Sequence, residues 1–249
     1  MSGHSKWATI KHKKGAADKA RGKLFAKLAR QIEVAARAGG GDPDMNPSLR
    51  SAVAKAKGSQ MTNDAIERAI KRGTGDAGGQ SYEAITYEGY APCGVALMIE
   101  VLTDNRNRTG ADIRNIFTKS GGSMAEPGAV SWQFSRRGII IVDGAATEDA
   151  VLDVALEAGA DDVVSEAGAW KVTCEPSATA AVSEAISSSG LSVISAESAL
   201  VSDNLVPLET VEDAKSVLKI IDLLEDNDDV QDVYANFDMT DDVLEGAAG

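Results

Sequence analysis

The sequence has few of the residues on which extracellular folds, metal sites and catalytic centres depend. Its 249 residues include two cysteines and two histidines, and aromatic residues make up 4% of the chain. Cys93 and Cys174 are too few for a disulfide framework, so we expect two reduced thiols. Neither His4 nor His12 has a third or fourth metal ligand near it in the sequence, so we predict no metal site.

Long hydrophobic runs are also missing. The longest, around residues 95–99 and 139–142, are far shorter than the roughly 20 residues that a membrane-spanning helix needs. Residues 1–14 carry charges where a secretory signal would have its apolar region. From these two absences we expect a cytoplasmic protein with no membrane segment.

The sequence lacks the common signatures of catalysis. It contains no Gly-x-Gly-x-x-Gly after a strand, no phosphate-binding Gly-Lys-Ser/Thr loop and no Gly-x-Ser-x-Gly. The acidic run at residues 225–229 lacks the glycine and the final acidic ligand of an EF-hand calcium loop. We therefore predict that the protein is not an enzyme, has no catalytic residues, and uses neither a cofactor nor a small-molecule substrate.

What the sequence does have is a strong division of charge. The whole chain has 25 basic and 38 acidic side chains, a net charge of −13. Residues 1–72 hold 16 basic and 6 acidic side chains, a net charge of +10, whereas residues 73–249 hold 9 and 32, a net charge of −23. Because salt screens charges beyond about 8 Å at physiological ionic strength, the basic segment can attract a polyanion on its own.

The basic segment has the pattern of a small helical domain. Apolar residues recur at the spacing of one helical face and predict a helix over residues 16–38, ended by the glycines at 39–41. Its apolar face comprises Leu24, Phe25, Leu28, Ile32 and Ala35. Capping signals at Asn46-Pro47 and at Thr62 or Asn63 predict two shorter helices. This pair resembles a helix-turn-helix, although a plain pair of antiparallel helices has the same pattern.

Cationic side chains of this domain are our candidate nucleic-acid-binding residues. One group lies in a short basic arm at residues 3–15, a second on the polar face of the first helix, and a third in the last helix. They are Lys6, Lys11, Lys13, Lys14, Lys19, Lys23, Lys27, Arg30, Arg68, Lys71 and Arg72. Because lysine contacts phosphates rather than base edges, this set favours duplex DNA or structured RNA without sequence readout.

Beyond a glycine-rich linker at residues 73–81, the pattern changes to that of strands alternating with helices. Residues 82–90 and 94–103 predict two strands, followed by a helix over 109–120 and a strand over 129–134. Residues 138–201 have the β-α-β-β-α-β order of a ferredoxin-like domain. A helix over 210–224 and a strand over 230–237 then complete a second split β-α-β unit.

These patterns predict an α+β fold of three domains, in which an N-terminal three-helix domain precedes two ferredoxin-like α+β domains. The basic helical domain comprises residues 1–75. The second domain is discontinuous and comprises residues 82–135 and 205–240, because the third domain, residues 138–201, is inserted in it.

One loop of the second domain has the residues of an anion-binding site. Residues 103–109 leave a strand and enter a helix N-terminus, where Asn105, Arg106 and Arg108 offer hydrogen-bond donors. Two interpretations remain open for this loop. It holds a phosphate or a partner's carboxylate, or Asp104 and the two arginines simply tie the loop together.

Several separate motifs, in the same order, resemble those of the YebC family. They are Gly3-His4-Ser5-Lys6-Trp7, Gly39-Gly40-Gly41-Asp42-Pro43 with Asn46-Pro47, Tyr87-Glu88-Gly89-Tyr90, the loop at 103–109, Gly121-Gly122, and the run from Leu224 to Gln231. The resemblance extends over residues 3–237, with Cys93 and Ala125 at positions where the family usually has glycine. It implies a helical N-terminal domain and two α+β domains, the third inserted in the second.

The resemblance also implies a non-enzymatic role in gene expression. Bacterial members are usually classed as DNA-binding transcriptional regulators, mitochondrial relatives activate translation, and some bacterial members are viewed as ribosome-associated factors that relieve stalled elongation. We therefore expect a regulator that binds DNA through its basic N-terminal domain. The alternatives are a translation factor that binds ribosomal RNA and a scaffold that binds protein through its acidic α+β domains.

Overall fold

The basic segment forms three α-helices in the structure, a computed structural model that describes residues 18–75, 81–166 and 168–248, with side chains from residue 22 to residue 247. They are α1 (Asp18–Gly39), α2 (Pro47–Gly58) and α3 (Asn63–Thr74). As predicted, Asn46 caps α2, since its side-chain oxygen accepts a hydrogen bond from the Leu49 N–H at 3.1 Å. Pro47 occupies the first turn, where its missing N–H costs nothing.

These helices pack around one hydrophobic cluster. Its buried members are Leu28, Ile32, Ala36, Leu49, Ala56, Met61, Ile66 and Ala69. Helix α3 lies so close to α1 that a Cβ added to Gly73 would be 2.4 Å from the Glu33 carbonyl oxygen. Leu24, predicted to lie on the apolar face, is 38% exposed, so the buried face of α1 is rotated toward Ala36 relative to the prediction.

Strands and helices alternate beyond residue 81. In chain order they are β1 (Glu83–Tyr90), β2 (Ala96–Thr103), α4 (Arg106–Lys119), β3 (Ser123–Ala125), β4 (Phe134–Asp143), α5 (Glu148–Glu157), β5 (Ala160–Glu166), β6 (Ala169–Cys174), α6 (Thr179–Ser188), β7 (Val193–Ser202), β8 (Val206–Leu208), α7 (Val211–Glu225), β9 (Val230–Ala235), β10 (Phe237–Met239) and α8 (Asp241–Ala248). The described residues divide into two compact units. The first runs up to Phe134 and resumes at Ser202, and the second is Ser135–Val201.

The first unit contains a four-stranded sheet with its own hydrophobic core. The strand order is β3-β1-β2-β9, and the three pairings are antiparallel. Phe117 of α4 and Ile221 of α7 are buried in the same cluster as Ile99 of β2. The helical domain keeps its separate cluster within this unit, so the two groups of buried apolar side chains do not merge.

The structure corrects the predicted strand over residues 129–134. The third strand of this sheet is the three-residue β3, whereas residues 131–133 form a 3₁₀ turn and β4 begins at Phe134. The buried carboxylate of Glu88 accounts for the difference, because it accepts hydrogen bonds from the backbone N–H groups of Gly128, Val130 and Ser131. Those donors are then unavailable for pairing with a neighbouring strand.

The predicted strand over residues 230–237 is divided at Asn236. The side chain of Asn236 accepts a hydrogen bond from the Ala96 N–H at 2.7 Å and donates to the Gln133 side chain and the Asn204 carbonyl oxygen. Beyond it, β10 pairs in parallel with β8, and α8 follows. Sequence analysis predicted none of β8, β10 and α8, because each is short.

The second unit has the predicted ferredoxin-like order. Its strands are arranged β5-β6-β4-β7, with β6 antiparallel to both β4 and β5. Ile140 and Val172 of the sheet pack with Val151 of α5 and Ile186 of α6 in one buried cluster. The first sheet has the same strand arrangement, with β3, β1, β2 and β9 in the places of β5, β6, β4 and β7. The connectivity differs, because β1 precedes β2 in the chain whereas β6 follows β4.

The architecture is therefore α+β, with N-terminal helices followed along the chain by two four-stranded sheets and their helices, and the fold class predicted from the sequence is confirmed. The division between a helical and a second domain stays a prediction, since residues 76–80 lie outside the described residues. Within the described ranges, no helix is both long enough and apolar enough to cross a membrane.

Candidate nucleic-acid interface

The predicted phosphate-binding residues fall into three groups in the structure. Lys6, Lys11, Lys13 and Lys14 lie outside the described residues, as does the side chain of Lys19. A second group, on α1, contacts acidic residues of the first unit. A third group, on α3, lies at the surface. The second and third groups can therefore be compared directly.

The α1 cations contact residues 225–232, which join α7 to β9 and which we call the acidic segment. Lys23 Nζ lies 2.9 Å from Asp226 Oδ1 and 3.2 Å from the Asp226 carbonyl oxygen, and Lys27 Nζ donates to the Glu225 carbonyl oxygen. The hydrogen bond with Asp226 raises the pKa of Lys23, whereas burial lowers the pKa of Lys27 despite the attraction of Glu225. Both lysines are therefore engaged within the chain.

Arg30 is the most fully engaged of the α1 cations. Its Nη1 donates to the carbonyl oxygens of Leu102 and Asp228, at 2.9 and 3.0 Å, and lies 2.9 Å from Asp229 Oδ1. The guanidinium also stands over the Tyr82 ring, 4.9 Å from its centroid. Arg30 thus joins α1 to both the end of β2 and the acidic segment.

Asp229 is the buried counterpart of Arg30. Its Oδ2 accepts hydrogen bonds from Thr109 at 2.6 Å, Arg108 at 2.8 Å and Thr103 at 3.1 Å. Burial raises the pKa of Asp229, but the hydrogen bonds from Thr109, the two arginines and Thr103 outweigh it, so the pKa is lowered overall. The ionised carboxylate therefore holds three parts of the unit together: α1, the start of α4 and the acidic segment.

Lys55 of α2 makes a further contact that sequence analysis missed. Its Nζ lies 2.9 Å from Asp232 Oδ1, and both side chains are about two-thirds buried, at 32% and 28% exposure. A single lysine facing another part of the chain has no local sequence pattern. The opposite net charges of residues 1–72 and 73–249 are the one signal in the sequence that points to such contacts.

The loop at residues 103–109 is held by contacts among its own residues and with Glu83 and Asp229. Asn105 caps α4 by accepting the Arg108 N–H at 3.1 Å, which starts the helix three residues before its predicted first residue. The Arg108 side chain reaches Asp104 at 2.8 Å as well as Asp229, and the exposed Arg106 pairs with Glu83 at 3.3 Å. These contacts match the interpretation that Asp104 and the arginines tie the loop together. Anion binding by Asn105, Arg106 and Arg108 stays a prediction.

The α3 cations differ from those of α1. Arg68 and Lys71 are exposed, and neither has a hydrogen-bond or ion-pair partner among the described residues. Arg72 instead lies 3.2 Å from the buried Glu33 carboxylate, which also pairs with Arg37. Arg68 and Lys71 are therefore the two predicted phosphate-binding residues that the described structure leaves available.

A second exposed feature lies on the loop that Glu88 anchors. Trp132 is 72% exposed, and its indole N–H donates to the Ala129 carbonyl oxygen at 3.1 Å. Burial raises the pKa of Glu88, but the three backbone N–H groups outweigh burial and lower it, so the anchor is ionised. Sequence analysis assigned residues 129–134 to a strand and so gave Trp132 no role.

The described residues contain no group of three or more His, Cys, Asp or Glu side chains arranged to hold a metal ion. Five carboxylates of the acidic segment lie close in sequence, yet three of them, Asp226, Asp229 and Asp232, are paired with cations of the helical domain. The local chemistry of the segment is therefore that of a counterion for α1 and α2.

Comparison with known proteins matches almost the whole chain to one family. Residues 5–76 match the TACO1/YebC protein N-terminal domain, and residues 82–237 match the TACO1/YebC second and third domain. A relative from Halothermothrix orenii is 53% identical over 248 residues, and one from Beutenbergia cavernae is 54% identical over 248 residues. In both cases the alignment covers 98% of this chain and 98% of the relative, and both relatives are named "Probable transcriptional regulatory protein".

A solved structure has the same fold. The crystal structure of a conserved hypothetical protein, Aq1575, from Aquifex aeolicus superposes with a TM-score of 0.81 and is 41% identical in sequence. The match covers 89% of this chain and 91% of that one.

Proposed function

This chain belongs to the TACO1/YebC family, and we propose from that premise that it is a nucleic-acid-binding regulator of gene expression without catalytic activity. In this proposal it acts in the cytoplasm and binds DNA through its basic helical domain. The name of both relatives described above, probable transcriptional regulatory protein, supports a regulatory role. The charge division of the sequence supports the choice of domain.

The observation that carries the proposal is the outer face of α3. Arg68 and Lys71 are three positions apart and therefore lie on one side of the helix, whereas Ile66 and Ala69 are buried on the other. The packed inner side holds the helix in place, and the two cations project from a domain of net positive charge. Such a surface suits phosphates, which bind cations without regard to base sequence.

The lysines of the arm belong to the same proposal. Lys6, Lys11, Lys13, Lys14 and Lys19 would extend the phosphate contacts along the backbone. By contrast, Lys23, Lys27, Arg30 and Arg72 each have an intramolecular partner. Reversing the charge of the α1 lysines would therefore disturb the first unit as well as any ligand contact, which makes α3 the better place for a test.

The test compares two double variants of equal charge change. Arg68→Glu with Lys71→Glu removes the α3 cations, and Arg114→Glu with Lys119→Glu removes two exposed cations of α4. We expect the α3 variant to weaken binding to a labelled DNA duplex by about tenfold or more, as the loss of two phosphate contacts implies, and the α4 variant to change it by less than about threefold. Fluorescence anisotropy on the full chain measures both. Equal affinities for the two variants would overturn the proposal.

A parallel titration with a structured RNA identifies the kind of nucleic acid. Tighter binding to the duplex supports a transcriptional role, and tighter binding to the RNA replaces it with the translational alternative. Sedimentation of a cell lysate at low salt gives an independent answer, because a translation factor should travel with the ribosomal particles.

A further inference from the structure

Four cations make polar contacts between the helical domain and the acidic segment. Lys23, Lys27 and Arg30 of α1 and Lys55 of α2 bind carboxylates or carbonyl oxygens of residues 225–232. The buried apolar residues on the two sides belong to separate clusters. Within the described residues, no shared hydrophobic core therefore fixes the two parts against each other. They are held by ion pairs and hydrogen bonds, which salt weakens.

The contact has a buried centre and an exposed rim. Arg30 and Asp229 form the centre, with side chains 20% and 9% exposed. The rim consists of two pairs that are more exposed than this centre. Lys23 and Asp226 are 37% and 71% exposed, and Lys55 and Asp232 are 32% and 28% exposed, so water and ions reach both pairs. Exposed pairs of this kind contribute little and are exchanged easily for other counterions.

Three of the four cations in this contact are also predicted phosphate-binding residues. A lysine ammonium that holds a carboxylate at 2.9 Å has no room for a phosphate oxygen on the same side, and the two anions repel each other. A phosphate backbone that reaches Lys23, Lys27 and Arg30 must therefore replace the acidic segment.

We propose that the acidic segment is a built-in competitor of nucleic acid, so that its contact with the helical domain and the binding of a phosphate backbone along α1 exclude each other. This inference rests on the proposed function, since it presupposes a nucleic-acid ligand. When the acidic segment contacts the helical domain, as in this structure, Arg68 and Lys71 remain available for a first encounter with nucleic acid. When the segment is displaced, the cations of α1 and α2 become available as well, and the population of this second state sets the overall affinity.

The first test neutralises the rim and leaves the buried centre intact. Asp226→Asn with Asp232→Asn removes two carboxylates that pair with Lys23 and Lys55. Asp112→Asn with Glu212→Gln makes the same change of net charge at exposed positions of α4 and α7 outside the acidic segment. We expect the rim variant to bind a DNA duplex about tenfold more tightly than the wild type, because each lost pair is worth a factor of about two to five. The matched variant should stay within about twofold.

The second test follows the contact itself. A carbodiimide joins Lys23 to Asp226 without a spacer when the two groups touch, and peptide mass spectrometry measures the yield of that link in the full-length wild type. Saturating duplex should lower the yield at least severalfold if the two contacts exclude each other. This measurement separates competition from simple repulsion, because repulsion alone would leave the link intact.

The outcomes separate this inference from the proposed function. Tighter binding by the rim variant alone, with loss of the link on adding duplex, supports both. Duplex binding with an unchanged link, or with equal affinities of the rim and matched variants, overturns the competition and leaves the proposed function standing. No binding of duplex or structured RNA by the wild type and the rim variant overturns both.

Discussion

Replacing Asp229 with alanine removes the carboxylate that joins α1, the start of α4 and the acidic segment. Four side chains lose a hydrogen-bond acceptor, namely Arg30, Arg108, Thr103 and Thr109. The two threonine hydroxyls keep acceptors, because Thr103 can donate to Thr109 Oγ1 at 2.7 Å and Thr109 can donate to the Asn105 carbonyl oxygen at 3.1 Å. The loss therefore falls on the two arginines.

The magnitude follows from how deeply those arginines are buried. Removing one partner of a buried ion pair costs about 3 to 5 kcal/mol, because a charge is left without a counterion. Arg30 is 20% exposed and keeps two carbonyl acceptors, and Arg108 is 48% exposed and keeps Asp104. We therefore expect the lower end of that range, about 3 kcal/mol, for Asp229→Ala. Asp229→Asn keeps one acceptor oxygen and should cost about 2 kcal/mol.

Urea unfolding followed by far-ultraviolet circular dichroism measures these changes. Asp112→Ala is the matched control, since this exposed aspartate of α4 has no partner among the described residues and its loss should cost less than about 0.5 kcal/mol. A cost below about 1 kcal/mol for Asp229→Ala would refute the reasoning, because the network would then contribute no more than a surface pair.

Three further predictions concern pH, one loop and the helical core. Burial raises the pKa of Asp229, but its hydrogen bonds lower the pKa by more. The ionised carboxylate therefore stabilises the fold above the unfolded-state pKa of about 3.9, and this stabilisation is lost as the pH falls through the folded-state pKa. Below about pH 4, Asp229→Asn should therefore lose less stability than the wild type. Glu88→Gln should speed hydrogen exchange at the Val130 amide, which now donates to the carboxylate at 2.7 Å. Gly73→Ala should destabilise the helical domain by about 2 kcal/mol through contact with α1, whereas Gly22→Ala, with open space around it, should stabilise it by about 0.5 to 1 kcal/mol.

Each of these predictions has an opposing result. Parallel acid-unfolding curves for wild type and Asp229→Asn would contradict the lowered pKa. Unchanged exchange at Val130 would mean that Glu88 does not anchor the loop. Equal stabilities of the two glycine variants would contradict the close approach of α3 to α1.

Local signals predicted the elements of the fold well. The Asn46-Pro47 cap of α2, for example, is a property of four consecutive residues, 46–49. The ferredoxin-like order of the second unit follows from alternating periods along a continuous stretch. Elements long enough to show a cap or a period within one segment were predicted, whereas the short β8, β10 and α8 were not.

The features that local patterns did not reveal depend on residues far apart in the chain. Residues 129–133 have an apolar pattern that suits a strand, but Glu88, some forty positions earlier, takes up their backbone donors. Phosphate binding by the polar stripe of α1 stays a prediction, and no local pattern indicated that a segment about 200 positions later is its counterion in the structure. A helical wheel gives the direction of a side chain within its helix and carries no information about what stands opposite.

The salt dependence of duplex binding tests the central claim most directly. If about six cations of the helical domain meet phosphates, the logarithm of the association constant should fall with the logarithm of salt concentration at a slope near −5. Replacing Arg68 and Lys71 with alanine should reduce the magnitude of that slope by about two. A slope near zero in the full-length wild type, or the same slope in the variant, would contradict the account.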